Sequence, residues 1–162
     1  MCLSFQPFQP EHFDDYQRLV ADERVMAMIT EYGLTPEQAR ADFECVLQDN
    51  QLHPRLGHFR VADPHTGAYL GLAKLAVASA DADEAELGYM LLPEHWGQGW
   101  GSLIAAKLVH EARGIPTLRR LVAIIDPKHQ ASRRILVKQG FVTTSVTELE
   151  GLPAEILHLA LD

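Results

Sequence analysis

Between residues 85 and 112 an apolar run, a group of three alternate glycines and a strongly helical run follow one another without a break. In Ala85-Glu86-Leu87-Gly88-Tyr89-Met90-Leu91-Leu92 the residues Leu87, Tyr89 and Leu91 share one face of a strand, and Pro93 ends the ladder. Downstream, Ile104, Ala105, Leu108, Val109 and Ala112 recur at the spacing of one helical face, which Gly114 and Pro116 close. A strand therefore feeds a helix through Trp96-Gly97-Gln98-Gly99-Trp100-Gly101-Ser102. Glycine lacks a Cβ, so the backbone can take unusual dihedrals and approach a ligand closely. The first amides of the helix, with the positive end of its dipole, then suit a phosphate.

Spacing excludes two familiar phosphate loops. A dinucleotide fingerprint starting at Gly97 needs glycine at the place of Ser102. A triphosphate loop needs four residues between its glycines and then Lys-Ser or Lys-Thr, whereas Gly101 is followed by Ser102 and Leu103. A glycine-rich turn that merely connects strand to helix stays open at this point.

With 162 residues, 47% of them hydrophobic, the chain is expected to form one domain, 1–162, with a real core. No apolar run approaches the roughly 20 residues of a membrane helix, and Met1-Cys2-Leu3-Ser4-Phe5-Gln6-Pro7 lacks the basic start of a secretion signal. A cytoplasmic protein without membrane contact is the expectation. Cys2 and Cys45 read as plain thiols, and His53 and His58, separated by Pro54 and Gly57, lack the spacing of a metal site. A formal charge of −8 argues against a sequence-independent grip on nucleic acid. The acidic stretch from Asp81 to Glu86 could attract a cationic acceptor, although Asp81 to Glu84 read rather as a solvated hairpin turn, and basic residues gather at Lys128, His129, Arg133, Arg134 and Lys138.

Periodicity predicts strands at 3–8, 58–62, 69–78, 84–92, 118–125, 141–148 and 154–161. Helices are predicted at 11–29, from the cap Thr35 to about 52, after the glycine loop, and at 131–139. In Thr35-Pro36-Glu37-Gln38, Thr35 caps, Pro36 fits the first helical position and Gln38 completes a capping box. This order predicts an α/β (α+β) fold with one mixed, mostly antiparallel sheet flanked by helices.

The glycine segment resembles the acetyl-coenzyme A motif of the GNAT superfamily of N-acetyltransferases, Gln/Arg-x-x-Gly-x-Gly/Ala. Gly99 and Gly101 fill its two small positions, while Trp96 stands where the family usually has Arg or Gln. The resemblance covers nearly the whole chain and is closest to the RimJ/RimL-type branch of ribosomal-protein N-terminal acetyltransferases. It is carried by Phe5-Gln6-Pro7-Phe8, Asp22-Glu23-Arg24-Val25-Met26, Thr35-Pro36-Glu37-Gln38-Ala39, Glu86-Leu87-Gly88-Tyr89 and the run from Ala131-Ser132-Arg133-Arg134 to Gly140-Phe141. A second departure is His129, where the family commonly has Asn.

The resemblance implies a fourth and a fifth strand that run parallel and splay apart, with the pantetheine arm of acetyl-CoA in the gap and no metal. It implies cofactor contacts from Leu91, Leu92, Trp96, Gly97, Gln98, Gly99, Trp100, Gly101, Ser102, His129 and Arg133, with Arg134 the alternative to Arg133 at the adenosine phosphates. The backbone amide near Leu92 would bind the thioester oxygen as charge develops on it. Glu86, Gly88 and Met90 share a strand face, which makes Glu86, with a small and an apolar neighbour, the candidate base. Pairing with a cross-strand cation is the alternative for Glu86. Ser132 is placed to hydrogen-bond the leaving thiolate or, alternatively, to satisfy a free helix amide. The family's usual thiolate acid, a Tyr, is replaced by Leu136. Met26, Ile29, Tyr32 and Met90 would line the acceptor side, although Met26 and Ile29 also continue an apolar helical stripe.

The implied function is acetyl transfer from acetyl-CoA to a primary amine, such as the α-amine of a protein or peptide. A non-catalytic acyl-CoA-binding or sensing module and a small-amine acetyltransferase are the alternatives. Monomer and homodimer stay equally open.

Overall fold

Seven strands form one sheet in the order β1-β2-β3-β4-β5-β7-β6 in the computed structural model, which describes residues 3–161. They are β1 (Ser4–Pro7), β2 (Gly57–Ala62), β3 (Tyr69–Ala76), β4 (Glu84–Leu91), β5 (Arg120–Ile125), β6 (Val142–Leu149) and β7 (Leu152–Ala160). Cys2 lies outside the described residues. All neighbouring strands are antiparallel except β4 and β5, which run parallel. The strands match those expected from periodicity, with ends displaced by no more than three residues.

The helices are α1 (Phe13–Val20), α2 (Glu23–Met26), α3 (Pro36–Asp49), α4 (Trp100–Arg113) and α5 (Gln130–Lys138). The single helical region expected over 11–29 is instead a 3-10 turn at Pro10–His12, then α1, then the one-turn α2. Asp22 causes the break: its extended backbone leaves α1, and its carboxylate accepts from the amides of Arg24 and Val25 to start α2. At α3 the capping box forms as its sequence announces. Thr35 Oγ1 accepts from the Gln38 amide at 3.2 Å, and Gln38 Oε1 accepts from the Thr35 amide at 2.9 Å.

Strand alternation sends side chains to two cores, one on each face of the sheet. Ala85 and Leu87 of β4 pack with Leu121, Leu157, Trp100, Ile104, Leu108 and Leu136 beneath α4 and α5. Leu72 packs on the other face with Phe8, Tyr16, Leu19, Phe43 and Leu92, against α1 and α3. Phe43 meets the Phe8 ring edge-on with centroids 6.0 Å apart and tilts against the Tyr16 ring at 5.1 Å. Along β6, the edge strand beside β7, every residue is exposed.

The pairing of β4 with β5 is short. It joins Glu84 to Arg120, Ala85 to Leu121 and Glu86 to Val122, and then stops. From residue 87 onward β4 has β3 as its only ladder partner, so a fork opens between the two parallel strands on the side where each leads into its helix. No helix among the described residues is long and apolar enough to cross a membrane.

Candidate active site

Gly97 and Gly99 adopt φ of 72° and 89°, left-handed values that an L side chain rarely takes. A Cβ at either would meet nothing within 4 Å, so the backbone there borders open space. Among the described residues no acceptor reaches the amides of Gly97, Gln98, Gly99, Trp100, Gly101 or Ser102; the first helical bond here runs from Leu103 to the Gly99 carbonyl. These unpaired donors at the N-terminus of α4 fit a diphosphate. The side chains around them serve other ends. Trp100 is buried in the core, the Gln98 amide donates to the Glu94 carbonyl at 3.0 Å, and the Trp96 indole donates to the Leu91 carbonyl at 2.9 Å. Trp96 thus ties the loop back to the end of β4, a role its place in the sequence motif did not suggest.

The main chain of β4 corrects one expectation. The Leu92 amide donates to the Leu70 carbonyl of β3 at 2.9 Å and is not free to meet a thioester oxygen. Hydrogen-bonding direction alternates along a strand, and Leu92 and Met90 face β3, so the amides of Tyr89 and Leu91 turn toward the fork. Leu91 lies on the side of β4 that borders the gap, and Leu92 contributes a buried side chain to the core.

Glu86 occupies the last paired position before the fork. Its surroundings are not the small and apolar pair expected from its own strand, because Lys74 of β3 reaches over Gly88 and its Nζ lies 2.9 Å from Glu86 Oε2. His58 stands directly opposite Lys74 on β2, and its Nε2 lies 3.0 Å from Asp49 Oδ2 at the end of α3. Burial holds the His58 imidazole below its usual pKa despite the opposing hydrogen bond to Asp49. An open cavity of about 410 Å3 borders Glu86, with Asp49, Ala76, Glu84 and Val122 in its wall. Sequence reasoning missed Lys74 and His58; the signal for Lys74 was a lone charge in the apolar run of β3.

On the far side of the fork, α5 follows β5 after residues 126–129. His129 caps it, Nδ1 accepting from the Ser132 amide at 3.3 Å, which requires a neutral ring. Burial lowers the pKa of His129, in keeping with that state. Ser132, 7% exposed, is therefore not the cap. Its Oγ lies 3.2 Å from the Tyr89 hydroxyl.

Arg133 departs from its expected role. Its Nε donates to both carboxylate oxygens of Glu155 at 3.0 and 3.1 Å, and a terminal nitrogen reaches the Pro127 carbonyl. Glu155, 4% exposed on β7, also accepts from Thr143 Oγ1 at 2.6 Å. The hydrogen bonds from Arg133 foremost, then Thr143, hold its carboxyl below the usual carboxylate range. Arg133 is thus committed to a buried ion pair, leaving no guanidinium edge on Nε for phosphates.

Among the residues expected at the acceptor side, Met26 is 3% exposed in the α1–α3 core and Met90 packs against the same cluster. Ile29 and Tyr32 are exposed, at 42% and 54%, on the turn after α2. Among the described residues no group of three or more His, Cys, Asp or Glu could hold a metal ion.

Open amides at the N-terminus of α4 thus lie beside a forked pair of parallel strands. The chain belongs to the acetyltransferase (GNAT) domain family, whose model matches residues 3–142. It is 39% identical over 57 residues to the uncharacterized N-acetyltransferase YoaA of Bacillus subtilis (strain 168), an alignment covering 35% of this chain and 32% of YoaA. The chain spans less than two thirds of the length of the curated relatives it matches. Among solved structures it resembles spermidine N-acetyltransferase from Vibrio cholerae in complex with CoA and spermine, with a TM-score of 0.81, 16% identity, and 98% and 95% of the two chains covered. It also resembles RimL, a ribosomal L7/L12 α-N-protein acetyltransferase in complex with coenzyme A, with a TM-score of 0.79, 18% identity, and 99% and 94% covered.

Proposed function

We propose that this chain, working as one domain, transfers an acetyl group from acetyl-CoA to a primary amine by direct attack, in the manner of the RimJ/RimL-type branch. The α-amine of a protein or peptide is the acceptor we favour. One juxtaposition carries the reading: open amides at residues 97–102 lie at one end of the fork and a carboxylate, Glu86, at its base.

When bound, acetyl-CoA supplies the acetyl group as an activated thioester. The amides of residues 97–102 hold its diphosphate, and those of Tyr89 and Leu91 hold the arm and polarise the carbonyl. Glu86 takes the proton of the incoming ammonium, directly or through a water, while the Lys74 ammonium, 2.9 Å from Oε2, orients its carboxylate. Ser132 donates a hydrogen bond to the departing sulfur.

Thiol release from acetyl-CoA, measured against a panel of peptides and small amines, tests the reading. Glu86→Gln should lower kcat about 10²- to 10⁴-fold, the usual span for a lost general base, with coenzyme A affinity unchanged. The Lys74 ion pair, which occupies that carboxylate, favours a second reading as a non-catalytic acyl-CoA sensor. Tight coenzyme A binding with no turnover on any amine would decide for the sensor, and turnover on small amines alone for a small-amine enzyme.

A further inference from the structure

Tyr89 is a half-buried ionisable side chain that the proposed chemistry leaves without a task. Its ring lies beneath the first turn of α4, where a Cβ on Gly101 would come within 3.5 Å of it and within 3.2 Å of Ile135. Its hydroxyl crosses to α5 and meets Ser132 Oγ at 3.2 Å. The contact spans the fork, since Tyr89 lies on the half of β4 that does not pair with β5 and Ser132 on the helix that follows β5. Among the described residues Ser132 is the only partner of that hydroxyl.

Each hydroxyl carries one hydrogen, so the direction of this bond decides what is left over. A phenol is a stronger donor than an aliphatic alcohol, because its conjugate base is stabilised by the ring. Burial pushes the Tyr89 pKa up, so the phenol keeps its proton. His129 Nδ1 is already engaged by the Ser132 amide and does not compete for the Ser132 hydroxyl. With Tyr89 donating, the lone hydrogen of Ser132 has no acceptor among the described residues.

We propose that Tyr89 is a positioning residue for acetyl transfer: by donating to Ser132 Oγ it turns the Ser132 hydrogen into the fork, toward the sulfur that leaves. This deepens the transferase reading and rests on it. In the step itself the amine nitrogen forms a bond to the acetyl carbon and the carbon–sulfur bond breaks with its electron pair on sulfur. The ammonium's first proton has left through Glu86 to solvent before the attack, and the nitrogen's second proton passes to the freed Glu86 carboxylate as the amide forms. Ser132 gives the sulfur a hydrogen bond and keeps its own proton, and the thiolate takes a proton from water after release.

The test compares Tyr89→Phe, Ser132→Ala and the double variant for kcat, KM for acetyl-CoA, coenzyme A affinity and melting temperature. Tyr89→Phe keeps the ring against Gly101 and removes only the hydroxyl. It should lower kcat about tenfold, the scale of one misdirected hydrogen bond, with KM and affinity unchanged. Ser132→Ala should match it, and the double variant should lose no more than Ser132→Ala alone, since both act through one hydrogen bond. An undiminished kcat in Tyr89→Phe overturns the proposal, as do losses that multiply in the double variant. A loss that comes only with weaker coenzyme A binding or an early melt assigns Tyr89 to packing and overturns it too. No turnover by the parent chain on any amine, with coenzyme A still bound, brings down the transferase reading itself.

Discussion

His129 shows how one side chain couples helix start, burial and pH. Its Nδ1 caps α5 only while the ring is neutral, and burial lowers its pKa against the opposing pull of Asp126. An unfolded histidine titrates near about 6.5. The folded ring takes its proton at lower pH than the unfolded one, so its contribution to stability is whole above that value. It is lost as pH falls through the folded pKa. His58, also lowered by burial, acts in the same direction. Asparagine caps helices without titrating, so melting temperature measured against pH should fall less steeply below about pH 6.5 in His129→Asn than in the parent. Parallel curves would remove His129 from the acid response.

At the scale of elements, the ion pair of Arg133 and Glu155 joins α5 to β7, with Thr143 adding β6. Removing the cation leaves a buried carboxylate, which costs roughly 3–5 kcal/mol in a fully buried pair. With the Arg133 side chain 32% exposed, Arg133→Ala should lower the urea midpoint by less than the loss of a fully buried pair would. Coenzyme A affinity, corrected for the folded fraction, should not change. A stable Arg133→Ala chain with weakened coenzyme A binding would return Arg133 to the phosphate role its sequence neighbourhood suggested. The short β4–β5 pairing belongs to this scale as well: three paired positions hold the strands together, and the separation beyond them exposes the Tyr89 and Leu91 amides.

Over the whole molecule, two cores on opposite faces of the sheet hold β4 from both sides, while the fork is left open along its last residues. A ligand that fills such a gap in the folded chain alone stabilises it by mass action. Coenzyme A at a hundred times its Kd should add about 2.7 kcal/mol, a rise of roughly 5–10 °C in melting temperature for a chain of this size. An unchanged melt at millimolar coenzyme A would deny the cradle its ligand.

What was legible in the residues alone is what short-range chemistry dictates. The capping box at Thr35, the strand periods and the glycine turn with its free amides need only neighbours within a few positions, and each formed where expected. The break at Asp22 was equally local, and the apolar stripe running through it hid it. Tertiary structure alone decided which partners distant groups would find. Lys74 meets Glu86 because β3 and β4 pair in one particular register, and Arg133 meets Glu155 across 22 positions of chain. The Leu92 amide is spent on Leu70 and that of Leu91 is not, because ladder direction alternates. A single-residue slip in register would exchange all of these partners while leaving the sequence, its periods and its glycines untouched.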